Sequence, residues 1–273
     1  MSDKNDSFGD RMKFFEKMGS ARLMPMLPIL ARLDGKCFSG FTNDLDRPFD
    51  SNFSDIMVAL TRYLTEQTCA RIGYTQSDEI TLLWQAETWK SEVFMGGKSS
   101  KMISILAAMA STEFNRLLPI YLPSKVDKLP IFDCRVWNVP SKIEAANAFI
   151  WREKDAVRNS IQGLGQHYFS HNRLNKVTCD EIQDLLWKEQ GVNWNDLPDN
   201  LKRGTYIQSK KISTKFTAEE LESLPEKHHA RTNPDLVTER RITEQVNMPI
   251  LTKIENVVNV LFDGDDPIMK EEK

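Results

Sequence analysis

Three carboxylates stand where strand-like runs of this chain end or turn. Asp34 closes the apolar run "PILARL" and opens "DGKCF", while Asp78 and Glu79 sit inside "RIGYTQSDEITLLW". Like charges a few ångströms apart repel unless a cation lies between them. Two such strand ends brought together suit a divalent metal and, through it, a triphosphate. The elements between Asp34 and Asp78 must therefore return the chain to one edge of a sheet.

Further residues could serve the same chemistry. "GGKSS" at 96–100 invites a phosphate-loop reading, but the first glycine of GxxxxGK[ST] falls at Glu92, so that motif is broken. Lys98 and Lys101 remain at a predicted helix start, where free N–H groups and the dipole also favour anions. Arg152, Lys154 and Arg158 on one predicted helix, with Lys202, Arg203, Lys210, Lys211 and Lys215 downstream, offer a surface for RNA phosphates. The acidic "DGDD" at 263–266 lacks the length and closing Glu of a calcium loop and reads as an exposed turn. His167 and His171 are four apart, with no zincin Glu between them and no third ligand nearby.

The bulk numbers admit one large domain or two modest ones. The chain has 273 residues, 40% hydrophobic and 27% charged, with a net charge of −3, so contact with nucleic acid must come from local patches. "LMPMLPILARL" is too short for a membrane span and is broken by Pro25 and Pro28. The polar start "MSDKNDSFGDRMK" has no apolar stretch of the secretory kind, and the four cysteines show no CxxC pair. Together these predict a cytoplasmic protein with reduced thiols and no membrane partner.

Periodicity predicts a short amphipathic helix within 1–22, a buried strand over 27–33 and a helix from about 51 to 68. A hairpin of "RIGYTQ" and "EITLLW" follows, then the helix "KSSKMISILAAMASTEFNRLL" and the strand "FDCRVWNV". This β-α-β-β-α-β order is the ferredoxin-like split unit, an α+β fold with an antiparallel sheet. Right-handed crossovers set the first and third strands side by side, which brings Asp34 to Asp78 and Glu79. It is the arrangement of the palm in nucleotidyl-transfer enzymes and nucleotide cyclases. Residues 1–140 are thus expected to form a palm-like catalytic domain. Residues 141–273 are expected to form a helical and hairpin extension that binds RNA or oligomerises. Within it, Gly163 and Gly165 are expected to end or loosen a helix, and Thr178 with Glu181 to form a capping box. "LKRGTYIQSKKISTKF" reads as a basic hairpin and 217–238 as loop-rich, while "TKIENVVNVLF" docks back on the body and the last ten residues fray.

The ordered set "GDRMKFFE", "RLDGKCF", "RPFD", "TQSDEI", "KSSK", "FDCRVWNVPS", "WREKDAVRNSIQG" and "TKIENVVNVLFDG" resembles the tRNA-His guanylyltransferase family. These enzymes add nucleotides to RNA in the 3′-to-5′ direction. The likeness is to the bacterial-type branch that repairs truncated tRNA 5′ ends. It implies Asp34 and Asp78 as carboxylates bridging two Mg2+ ions, the Gly35 carbonyl as a further ligand and Glu79 as a supporting acid. It also implies Lys36, Phe38, Arg47, Asp50, Ser77, Lys98 and Lys101 as contacts to ATP, GTP or another nucleoside triphosphate. Arg152, Arg158, Asn159, Lys202 and Arg203 would meet tRNA, and the assembly would be a homotetramer. Two departures stand out. Ser39 replaces a His found in many members. Val157, Arg158, Asn159 and Ser160 occupy the place of the eukaryotic His-Ile-Asn-Asn motif. The expected activity is therefore templated 5′-end repair. Guanylate addition to tRNA-His is the near rival, and a palm-fold cyclase or a non-catalytic RNA-binding module are the distant ones.

Overall fold

A computed structural model describes residues 7–19, 21–233 and 235–271. Helix α1 (Ser7–Met18) carries Met12, Phe15 and Met18 at helical spacing, all exposed. The remainder of the expected 1–22 segment includes positions 1–6 and 20, outside the described residues. Strand β1 (Ile29–Gly35) is apolar on both sides because both faces of the sheet are covered there. The short helix α2 (Phe38–Phe41) leads to α3 (Ser51–Thr68), which begins where Asp50 caps it: Oδ1 accepts the Phe53 N–H at 2.8 Å. Strands β2 (Ile72–Gln76) and β3 (Glu79–Trp84) form the expected hairpin, followed by α4 (Ser99–Tyr121) and β4 (Phe132–Asn138).

The long helix α5 (Lys142–Tyr168) runs through Gly163 and Gly165 instead of ending there. A Cβ on Gly165 would lie 2.7 Å from Ile182 Cγ2, so this glycine allows close approach of a neighbouring helix. His167 and His171 fall in different helices, α5 and α6 (His171–Leu174). Helix α7 (Cys179–Leu185) starts at the predicted capping box of Thr178 and Glu181. The expected basic hairpin is instead a short helix, α8 (Asp199–Arg203), and one long strand, β5 (Thr205–Lys215). Gly204 makes the corner with φ +81°. The stretch read as loop-rich holds α9 (Ala218–Ser223), α10 (His229–Thr232) and the start of β6 (Val237–Val246). After α11 (Val257–Asp263) the tail is pinned, with the Glu255 N–H donating to Ile268 O and the Lys270 N–H to Lys253 O.

The six strands form one antiparallel sheet in the order β4-β1-β3-β2-β5-β6. The first four are the split unit; β5 continues the same sheet from the edge of β2. Helices α3 and α4 cover one face, with Leu60, Leu106 and Phe114 against Ala31, Leu33, Ile80 and Leu82. Helices α5 and α11 cover part of the other, with Phe149 and Leu261 against Leu30, Tyr74 and Tyr206. No helix among the described residues is long and apolar enough to cross a membrane.

Beneath the end of β1 lies an aromatic cluster. The Phe38 ring is 5.1 Å from Phe41, 5.5 Å from Phe114 and 5.0 Å from Phe132. Phe114 is fully buried at its centre. Phe114→Ala is expected to lower the unfolding free energy by about 3–5 kcal/mol through lost burial and the cavity left behind. Urea unfolding measures this; a loss below about 1 kcal/mol would mean that the neighbouring rings refill the space.

Candidate active site

The antiparallel register sets Asp34 opposite Glu79 on β3 and opposite Asp133 on β4. Opposed residues share a face of the sheet, so the three carboxylates form a row across adjacent strands. The row is most exposed at Asp133, 54% accessible and 3.9 Å from Arg135. Asp78 lies in the two-residue turn between β2 and β3, where Ser77 has φ +51° and its Oγ is 3.2 Å from Asp78 Oδ1. The Gly35 N–H donates to Asp78 O at 3.2 Å and ties this turn to the end of β1. Gly35 has a steric reason as well: a Cβ there would sit 2.3 Å from the Phe38 ring.

Charge crowding is visible at these groups. Burial, and then the charges of Asp34 and Glu79, push the Asp78 carboxyl up to about 6, against hydrogen bonds from its own backbone and from Ser77. Burial also raises Glu79, with Asp34 adding to it and Arg152 and Arg32 opposing it. The donors here are hard oxygens, the Asp34 and Asp78 carboxylates and the Gly35 carbonyl. Among the described residues no three His, Cys, Asp or Glu side chains close on a common point. Hard oxygen donors are of the kind that Mg2+ takes, an ion commonly held by one or two carboxylates and completed by waters and substrate phosphates.

A cleft of about 270 Å³ opens beside the turn, lined among others by Thr42, Arg47, Gln76, Asp78, Asn159 and Asn200. Its 42–50 wall is held by the buried Lys125, whose Nζ donates to Phe41 O at 2.7 Å and pairs with Asp44. Arg47 is exposed on that wall, with Nη2 3.3 Å from Asn43 O. Asp50 reaches the cleft but spends its carboxylate on the Phe53 and Asp46 N–H groups. Lys36 is exposed beside Gly35 and Ser77 is on the cleft wall. The Phe38 side chain is 2% exposed and belongs to the core, so no base can stack on it.

Several expected residues lie elsewhere. Lys98 begins α4 and bridges to Arg22, just ahead of β1. The carboxylates are at the other end of the strands, and β3 alone spans roughly 17 Å from one end to the other. Lys98 and Lys101 therefore do not join the site within one chain. Nor do Arg152, Lys202 and Arg203 form an RNA-facing surface. Arg152 is 5% exposed and pairs with Glu79 and Asp155. Arg203 pairs with Asp199 at 2.8 Å and Glu153 at 3.6 Å, and Lys202 donates to Asn195 O. Only Arg158 and Asn159 of that group are exposed near the cleft. Sequence reasoning missed Asp133, Lys125, Asp155 and Asn200. The residues in the middle of α5 carry a partial signal, since Arg152 and Asp155 at i,i+3 predict a helix ion pair.

A split palm with carboxylates at adjoining strand ends beside an open cleft is the arrangement that nucleotidyl-transfer enzymes share with nucleotide cyclases. The tRNA-His guanylyltransferase family model matches residues 9–140. An uncharacterized protein of Acanthamoeba polyphaga mimivirus is 32% identical over 77% of this chain and 80% of its own length. A probable tRNA(His) guanylyltransferase of Drosophila melanogaster is 26% identical over 74% and 73%. Among solved structures, a bacterial tRNA(His) guanylyltransferase-like protein in complex with ATP superposes with TM-score 0.76 at 29% identity, covering 94% of this chain and 99% of that one. The chain belongs to the tRNA-His guanylyltransferase family and is an enzyme of its nucleotidyltransferase class. Membership separates it from the cyclases, which the palm alone does not.

The crowding at Asp78 has a measurable sign. A carboxyl raised in the folded state binds its proton more tightly there than in the unfolded chain. Its ionisation therefore costs stability as pH rises from about 4 through 6, and below about 4 the cost is absent. Asp78→Asn is expected to stabilise the metal-free protein at neutral pH by on the order of 2 kcal/mol, allowing for partial solvent screening. Denaturant unfolding across this pH range tests it; a gain that is the same at both ends would show that ionisation of the buried, crowded carboxyl is not its source.

Proposed function

We propose that this enzyme is a metal-dependent 3′-to-5′ nucleotidyltransferase that restores missing 5′ nucleotides of tRNA opposite a template base. The observation that carries the reading is that the strand ends bearing Asp34 and Asp78 are tied together, with Asp78 on the wall of a polar cleft. Related bacterial structures in complex with ATP and with GTP support nucleoside triphosphates as the substrates of that cleft.

In this reading an RNA 5′-monophosphate attacks the α-phosphorus of ATP or GTP and pyrophosphate leaves; the 3′-hydroxyl of the incoming nucleotide then attacks the RNA 5′-phosphorus, giving up its proton to solvent as AMP or GMP leaves. The Asp34 and Asp78 carboxylates and the Gly35 carbonyl would hold Mg2+, expected as two ions, which would lower the pKa of the attacking hydroxyl and neutralise charge at the phosphoryl oxygens. The chain itself supplies position. Gln76, Asn159 and Asn200 offer neutral donors and acceptors to a base, and Arg47 offers its guanidinium to phosphates. Arg158 and Asn159 meet the RNA at the rim, with the rest of 141–273 as its support. Their backbone contacts carry register without choosing a base, leaving that choice to pairing. The missing His-Ile-Asn-Asn motif accords with this. A cytoplasmic homotetramer belongs to the same reading; exposed Phe8, Phe14, Phe15 and Met18 on α1 are apolar surface that assembly can cover.

The test offers purified enzyme full-length tRNA-His and tRNAs lacking their first nucleotide, with ATP for activation and each of the four triphosphates. Selection should follow the complementary base and change when the template base is changed. Use of GTP alone, whatever lies opposite, would replace repair with dedicated guanylate addition. Asp34→Ala should abolish transfer in both cases while tRNA binding persists; near-normal rates at saturating Mg2+ would remove Asp34 from the metal site.

A further inference from the structure

The residue that sequence reasoning placed on the RNA is inside the protein, and its surroundings give it another task. Arg152 Nη2 donates to Glu79 Oε2 and, at 2.9 Å, to Asp155 Oδ2. The guanidinium also lies 4.5 Å from the Trp151 ring, so its plane is held on a third side. Asp155 in turn accepts from Arg158 and, at 3.3 Å, from Asn159. A chain of alternating charge thus runs from the exposed rim of the cleft to Glu79 at the partly buried start of β3. Glu79 is the register partner of Asp34 and follows Asp78 directly.

We propose that Arg152 is a positioning residue for the metal site: held by Asp155, it fixes the Glu79 carboxylate beside Asp34 and Asp78. This rests on the metal reading above. Left alone, three carboxylates at one sheet edge would turn away from one another into solvent. A guanidinium at the back of the row gives one of them a fixed direction and offsets part of its charge without entering the cleft. Arginine suits the task because its planar fork can serve two carboxylates, whereas an ammonium is a point charge on a flexible stem. Asp155 stops the guanidinium from following Glu79, so the carboxylate and not the arginine is the part that settles. Outer groups that orient metal-binding carboxylates commonly contribute 10–100-fold to metal affinity or activity.

The experiment compares whole wild-type protein with Arg152→Lys and Asp155→Asn. Mn2+ uptake is measured by calorimetry without substrate, tRNA affinity by filter binding, and kcat and KM for nucleotide in the transfer assay. Arg152→Lys keeps the charge but cannot hold both carboxylates, and should weaken Mn2+ binding about 10-fold or more. It should also lower kcat while leaving nucleotide KM and tRNA affinity within about 2-fold, since a buried side chain touches neither. Asp155→Asn, which leaves Arg152 in place, should weaken Mn2+ binding by a smaller factor in the same direction. If Arg152→Lys does not fold, Asp155→Asn decides. Unchanged Mn2+ affinity in the folded variants overturns the proposal, and so does lost tRNA affinity with Mn2+ binding intact. A wild-type protein that takes up no Mn2+ overturns the metal reading, and this inference with it.

Discussion

Crowding of carboxylates at one end of β1 and β3 is the constraint around which this protein is organised. Asp34, Asp78 and Glu79 repel one another, and burial raises the cost of ionising two of them. A fold that tolerates this must prevent the strand ends from parting. It does so by backbone means, with the ladder between β1 and β3 and the bond from the Gly35 N–H to Asp78 O. Side chains alone could rotate away; a register cannot shift by less than a residue, and a one-residue slip would turn every core side chain outward.

The layers on the two sides of the sheet serve that edge differently. On one side the Phe38, Phe41, Phe114 and Phe132 rings pack directly under it, and their density leaves no room for a side chain at Gly35. On the other side α5 places two adjacent residues with separate duties. Arg152 reaches Glu79. Glu153 accepts from the Tyr206 hydroxyl at 3.1 Å and the Leu251 N–H at 3.2 Å, which binds β5 and the C-terminal segment to the same helix. The chain beyond 140 is consequently part of what holds the carboxylate-bearing strand ends, and β5 extends the sheet that carries them.

Much of this was legible in the residues. The alternating and periodic runs from 27 to 138 specify a split β-α-β-β-α-β unit, and with right-handed crossovers only one arrangement brings Asp34 to Asp78. The capping box at Thr178 and Glu181 was equally plain, because a cap depends on neighbours a few positions away. Readings of the second half fared less well. Gly163 and Gly165 signal a break locally, but the packing of Ile182 against Gly165 keeps the helix whole. Two strands as far apart as β5 and β6 pair through contacts that no short pattern records.

The sequence by itself determined which residue types could carry the chemistry, the order of elements and the strand ends at which Asp34 and Asp78 stand. Tertiary structure decided which charged residues are available. Lys98 follows an antiparallel strand out to the far end of the sheet, whatever its likeness to a phosphate contact. Arg152 and Arg203 look like surface cations in the sequence and are interior braces in the fold. Charge is a property of the residue and visible in the chain. Whether that charge faces a phosphate or a buried carboxylate depends on partners dozens of positions away, and only the closed fold brings them together.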